Sequence, residues 1–175
     1  MSYKNKYDNR GCSSIDADAT TLFLNLCAKK KFKTKKATPN QDKYEHWDWE
    51  IKTPVGYHLV DIKGLKRINS QDTAADDSLL CVEYENVTGN DGWLQGKAEF
   101  IAFLVKEGFI FVKRADLLEL SRALVDWNSD PTPSPRNKKP YIVYQRSQWN
   151  RKDLFAYLKK EDILKLKHSL WRANV

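Results

Sequence analysis

An α+β or α/β fold, with a mixed β-sheet flanked by helices, is what the order of hydrophobic patterns in this chain predicts. Three observations lead there. Apolar residues recur at helical spacing over 13–31, five strand-like stretches follow between 44 and 114, and a second helical pattern at 115–126 precedes further strand-like sequence. With 175 residues, 41% of them hydrophobic and 12% aromatic, the chain is long enough for one domain with a real core and too apolar for disorder.

Ser13 and Ser14 can cap the first helix, in which Ile15, Ala19, Leu22, Phe23 and Leu26 recur until the pattern breaks near Lys31. Strands are predicted at about 44–51, 57–66, 79–87, 99–105 and 108–114, the first two joined by a hairpin through Thr53-Pro54-Val55-Gly56. Leu117, Leu118, Leu120 and Leu124 mark the second helix, and 162–171 reads as a third. Dense proline spacing makes 130–140 a loop. The core, about 14–127, is expected to close before that loop, leaving 141–175 as an extension of the single domain. In it 141–145 reads as a strand and 153–158 as strand or helix.

Several function classes are disfavoured. No apolar run approaches the roughly 18 residues of a membrane span, and the first residues lead into polar sequence, so a cytoplasmic location with no membrane partner is expected. Cys12, Cys27 and Cys81 are odd in number and widely spaced, which suggests neither a disulfide framework nor a zinc site. No GxxxxGK[ST] loop is present, against an NTP-driven motor. The net charge of +7 is clustered: Lys29, Lys30, Lys31, Lys33, Lys35 and Lys36 crowd together, followed later by Lys113-Arg114, Arg136, Lys138, Lys139, Arg146 and Arg151. Such clusters favour a polyanion through counterion release. Lysines complementing a helix dipole explain part of the first run.

Against this basic background stand Asp48 and Asp61-Ile62-Lys63. Strand alternation puts Asp61 and Lys63 on one face; in the preceding segment it puts Trp47, Trp49 and Ile51 on one face and Asp48 with Glu50 on the other. The hairpin then lays Asp48 beside Asp61. Two adjacent carboxylates repel unless a cation lies between them, and a hard ion such as Mg²⁺ with a lysine nearby meets that need. A plain surface ion pair, worth at most about 1 kcal/mol, is the simpler alternative. The apolar neighbours Leu59, Val60, Ile62 and Leu65 instead imply a strand buried on both faces, where charges need a reason.

Glu83 and Glu85 share a strand face, as further metal partners or as solvent-facing residues. Asp16 and Asp18 fall in the first turn of the first helix, where acids are favoured anyway. His46 shares the face of Asp48, His58 lies opposite Asp61 and His168 is distant, so no histidine-based mechanism is suggested. The segment Gly89–Gly96 is a glycine-punctuated loop in which Trp93 either stacks on a base, with Gln95 near the site, or is buried at a tight turn.

The order Asp48, spacer, Asp61-Ile62-Lys63 resembles the PD-(D/E)XK nuclease superfamily. The likeness extends to its phage-type, Holliday-junction-resolvase-like subgroup through Lys36-Ala37-Thr38, Tyr44-Glu45-His46-Trp47-Asp48, Val60-Asp61-Ile62-Lys63-Gly64, Glu83-Tyr84-Glu85-Asn86-Val87 and Gly92-Trp93-Leu94-Gln95-Gly96-Lys97-Ala98, within residues 14–114. It implies a restriction-endonuclease-like core and a metal-dependent phosphodiesterase cleaving DNA, with a structure-selective endonuclease of phage origin as the expected kind. Asp48 and Asp61 would hold Mg²⁺ or Mn²⁺, Lys63 would position water or stabilise charge, and Glu83 is the preferred further acid. Lys33, Lys35, Lys36, Trp93, Gln95, Lys113 and Arg114 would face the nucleic acid. The family often carries a glutamate on its first helix, where this chain offers Asp16 and Asp18. DNA is the expected partner, RNA is not distinguished from it, and a homodimer is compatible. Rival readings are a non-catalytic nucleic-acid-binding protein that keeps the fold and a basic interaction module with structural acids. Metal dependence separates them.

Overall fold

Two sheets and four helices account for most of the residues described in the computed structural model, which are 12–65, 76–133, 138–146 and 150–173, with backbone only for 12–17. In chain order they are α1 (Cys12–Lys29), β1 (Lys33–Lys36), α2 (Pro39–Glu45), β2 (Trp49–Thr53), β3 (Gly56–Lys63), β4 (Leu79–Glu85), a 3₁₀ turn (Trp93–Gln95), β5 (Phe100–Val105), β6 (Gly108–Lys113), α3 (Arg114–Leu124), β7 (Tyr144–Gln145), β8 (Leu154–Lys159), α4 (Lys160–Ile163) and β9 (His168–Arg172). The large sheet runs β1-β2-β3-β5-β6-β9 and the small one β4-β8-β7. β3 and β5 are parallel and the other pairs antiparallel, so the large sheet is mixed, as expected.

Each face of the large sheet buries its own cluster. On one side, Ala19, Phe23, Leu26 and Cys27 of α1 pack on Ile51, Val60, Ala102, Phe109 and Phe111. On the other, Ile101, Phe103, Val105, Ile110 and Val112 meet Leu80, Val82, Ala156 and Leu158 of the small sheet and Leu117 of α3. Strand β3 is therefore covered on both faces at Val60 and Asp61, while its start at Tyr57 is exposed. Burial of this apolar area is the main stabilising term, at about 25 cal/mol per Å².

Several elements depart from the sequence expectations. The strand expected at 44–51 begins only at Trp49, because Thr38-Pro39-Asn40-Gln41 starts a helix: the Thr38 hydroxyl accepts from Gln41 N–H, the Gln41 side chain accepts from Thr38 N–H, and Pro39 fits the first turn. Trp47, outside the strand, consequently packs with the small-sheet cluster, while Trp49 and Ile51 pack with α1. The lysines from Lys33 to Lys36 form an exposed edge strand on β2 rather than a helix end, and their charge disfavours further strand addition. The helix expected at 162–171 ends at Ile163. Its second half is β9, since β6 offers an open ladder and period-two alternation sends Leu170 and Trp171 to opposite clusters. The Trp171 ring lies 4.1 Å from that of Phe111 and stacks on Phe23. Residues 154–159 are a strand, and the strand expected at 141–145 shrinks to Tyr144–Gln145. Through β8 and β9 the segment after the proline-rich stretch joins both sheets. The caps proposed at Ser13 and Ser14, the acid at Asp16 and the cation at Arg136 lie outside the described side chains.

Two glycines with nearly the same backbone allow a comparison. Gly56 (φ 143°) and Gly108 (φ 141°) both occupy a region that L side chains rarely adopt; a Cβ at Gly56 would meet nothing within 4 Å, whereas at Gly108 it would lie 2.0 Å from Trp171 O. Gly56→Ala is expected to cost about 1–3 kcal/mol from backbone strain alone. Gly108→Ala should cost clearly more and loosen β9. Chemical denaturation of both variants, with hydrogen exchange at His168–Arg172, checks this; equal losses would show that the approach of Trp171 does not constrain Gly108.

Candidate metal and phosphate site

The ladder between β2 and β3 stops in the backbone but continues in a side chain. Asp48 N–H donates to Val60 O at 2.9 Å, and Ala37 N–H to Asp48 O at 2.8 Å. One step further, Ile62 N–H donates to Asp48 Oδ2 at 2.7 Å. The chain can leave the strand there because His46, with φ 55°, ends α2 in a left-handed turn, and because the end of α2 is docked: Lys97 N–H donates to Glu45 O at 2.7 Å, Lys97 Nζ lies 3.0 Å from Glu45 Oε1, and Trp47 Nε1 donates to Glu45 Oε2 at 2.9 Å.

This arrangement closes a cavity of about 360 Å³ lined by Thr20, Lys36, Asp42, His46, Asp48, Asp61, Lys63 and Trp93, among others. Asp61 is 4% exposed. Lys63 Nζ sits 2.7 Å from Asp61 Oδ2, an oxygen with no other hydrogen-bond partner, and 4.6 Å from the centre of the Trp93 ring. Asp48 lines the same cavity, and its charge acts on Asp61. The expected convergence of Asp48, Asp61 and Lys63 is thus present.

The electrostatics are those of too many acids in too little water. Burial pushes the Asp61 carboxyl up to about 8 and Asp48 adds to the rise, against the opposing pull of Lys63. Burial also works against the Lys63 ammonium, but Asp61, Asp48 and Glu83 together hold its pKa above the ordinary value. Asp42, exposed on α2, is raised too, by partial loss of water on its cavity side first and by Asp48 second.

The remaining candidates divide. Glu83 does not line the cavity, although its charge is felt at Lys63. Trp93 is buried, with its ring edge-on to Phe103; it holds Lys63 rather than offering a platform to a base. Gln95 donates to Tyr84 O at 2.9 Å and lines a different cavity, with Glu85. Arg114 is tied down by its bonds to Ala98 O and Leu94 O, both 2.9 Å, so it is a structural cation. Lys113 is exposed at the end of β6, and Asp18 is exposed on α1. Lys36 lines the cavity while Lys33 and Lys35 lie on the opposite face of β1. His58 pairs with Glu99 at 2.8 Å, outside the cavity lining. Sequence reasoning missed Asp42 and Thr20. The signal for Asp42 is the capping box, which places it on α2, one helical turn before His46.

Among the described residues no three His, Cys, Asp or Glu side chains are gathered into a ready-made metal cluster. The donor set nevertheless fits one kind of ion. Mg²⁺ keeps several waters and is typically held by one or two carboxylates plus substrate phosphate, which matches two adjoining acids with an otherwise unpartnered buried oxygen. Asp48 and Asp61 would hold it.

Because the folded-state pKa of Asp61 lies above its unfolded value of 3.8, the folded state binds the extra proton between about pH 4 and 8. The stability this group contributes is full below the lower value and is lost as pH rises through the upper one. Asp61→Asn removes that dependence. Denaturant midpoints of wild type and variant, measured without divalent metal from pH 4 to 8.5, should converge or cross in favour of the variant as pH rises; parallel curves would contradict the raised pKa.

Compared with known proteins, the chain matches no family model, no curated protein and no solved structure.

Proposed function

We propose that the chain is a Mg²⁺- or Mn²⁺-dependent nuclease cleaving DNA, of the PD-(D/E)XK kind and acting as a structure-selective endonuclease. The observation that carries this reading is the Asp48–Asp61–Lys63 cluster at the end of strand β3, with Asp61 buried and Asp48 and Lys63 half-buried around it, in a protein of net charge +7. A divalent ion bound there would acidify a water and stabilise negative charge on a phosphodiester. Asp48 and Asp61 would hold that ion. Lys63, fixed by Asp61 and Trp93, is positioned to stabilise developing charge or to hold the attacking water.

A basic strip leads to the cluster. Cross-strand partners share a face, so the pairings Lys33↔Lys52↔Tyr57 and Lys35↔Glu50↔Leu59 put three lysines, Lys33, Lys35 and Lys52, with Tyr57 and one acid, Glu50, on the face of β3 that carries Asp61 and Lys63. Tyr57 is 61% exposed, with Lys52 Nζ 5.1 Å from its ring centre. The strip gives a polyanionic backbone a path to the cavity, with Lys36 at its wall.

Asp48→Asn or Asp61→Asn is expected to reduce Mg²⁺-dependent cleavage by about 100-fold or more, with DNA affinity unchanged or raised because a charge beside phosphate is removed. Lys63→Ala should lose rate more than metal affinity. Cleavage of duplex, flapped, branched and single-stranded substrates with Mg²⁺ or with chelator measures this. Full Mg²⁺-dependent activity in Asp61→Asn would overturn the assignment.

The strip is tested separately. Replacing Lys33, Lys35 and Lys36 by alanine should weaken DNA binding across sequences and flatten log affinity against log salt by about 0.9 for each duplex phosphate no longer neutralised. All three are exposed, so stability should barely change. An unchanged slope would move the substrate off β1.

A further inference from the structure

A second cavity, of about 430 Å³, lies among Tyr84, Glu85, Gln95, Leu118, Arg122 and Trp127. Its chemistry differs from that of the first. Trp127 is 43% exposed yet meets the buried Tyr84 edge-on at 4.6 Å, forming an aromatic corner at the surface. Arg122, exposed on α3, adds a cation. Glu85 supplies a carboxylate, and the Gln95 amide, anchored by its bond to Tyr84 O, keeps its own oxygen as an acceptor. The two cavities share the 3₁₀ turn: Trp93 walls the first and Gln95, two residues on, the second.

We propose that this second cavity takes one unstacked nucleobase, with its phosphate on Arg122, from a strand whose scissile region lies in the first cavity. The inference rests on the nuclease reading and specifies its substrate. An aromatic corner suits any base, because every base has a π-face. The acceptors select among them. The Watson–Crick edge of guanine offers two adjacent N–H donors to a carboxylate, whereas that of thymine sets one N–H between two carbonyls that a carboxylate repels. The favoured occupant is therefore an unpaired guanine, which flapped, looped or branched DNA exposes and continuous duplex conceals.

The test uses the full chain without divalent metal. Titration with dGMP and dTMP, followed by NMR shifts or calorimetry, should give saturable dGMP binding at roughly 1 mM or tighter, and weaker dTMP binding. Trp127→Ala and Arg122→Ala, both at exposed positions, should each weaken dGMP by about tenfold, and Glu85→Gln should narrow the guanine preference. Asp61→Asn should leave dGMP binding unchanged. The proposal is overturned if dGMP does not saturate, if Trp127→Ala binds it like wild type, or if Asp61→Asn abolishes binding, which would put the nucleotide in the acidic cavity. DNA cleavage without dGMP binding refutes this inference alone; saturable, Trp127-dependent dGMP binding without cleavage supports the second cavity and refutes the nuclease reading.

Discussion

The hydrogen bond from Ile62 N–H to the Asp48 side chain is the interaction on which the rest of the site depends. It replaces the main-chain acceptor that β2 would have supplied had the strand continued, so it satisfies a donor that an interrupted ladder would leave open. It also fixes a carboxylate beside Asp61, a position that charge repulsion alone opposes. The folded chain tolerates that conflict because the opposing side of β3 and the docked end of α2 are held independently. Val60 is buried against α1, and Glu45 is bonded to Lys97 and Trp47. Local electrostatic strain is offset by remote packing, the usual arrangement at functional sites.

The cluster and the general plan were legible in the sequence for one reason: both rest on side-chain periodicity. Asp61 and Lys63 share a face because a strand alternates, and no tertiary detail alters that. The helices at α1 and α3 and the five strands from β2 to β6 carry patterns that burial then uses directly. Sequence reasoning fails where local and global signals compete. Leu164, Leu166, Leu170 and Trp171 fit a helix as well as a strand until β6 presents an open edge. The lysines of β1 carry no apolar pattern at all, so only pairing with β2 reveals the strand. Extending alternation through residues that belong to a turn after a helix puts Trp47 on the wrong face.

Charge was legible as a total but not as a distribution. The run from Lys29 to Lys36 looks like one patch in sequence, yet strand geometry separates Lys33 and Lys35 from Lys36, and joins the former to Lys52 and Tyr57 across the hairpin. Arg114, which reads as part of a basic pair with Lys113, is instead bonded to two carbonyls. A cation count therefore overstates the surface available to phosphate; what matters is which cations keep their charge facing solvent.

The 3₁₀ turn at Trp93–Gln95 draws these threads together. Its tryptophan takes the buried role, one of the two its glycine-punctuated loop suggested, and that burial gives the Lys63 ammonium an aromatic wall, which is worth more in a desolvated setting than at an open surface. With Asp61 on its other side, Lys63 cannot swing into solvent without leaving a buried acid unpartnered. Displacement of Trp93 would therefore act on Lys63 and, through the shared turn, on Gln95 and the second cavity together. The two cavities are adjoining consequences of one short turn clamped between β4 and α2: the Gln95 side chain bonds to Tyr84 O on one side, and Lys97 N–H bonds to Glu45 O on the other.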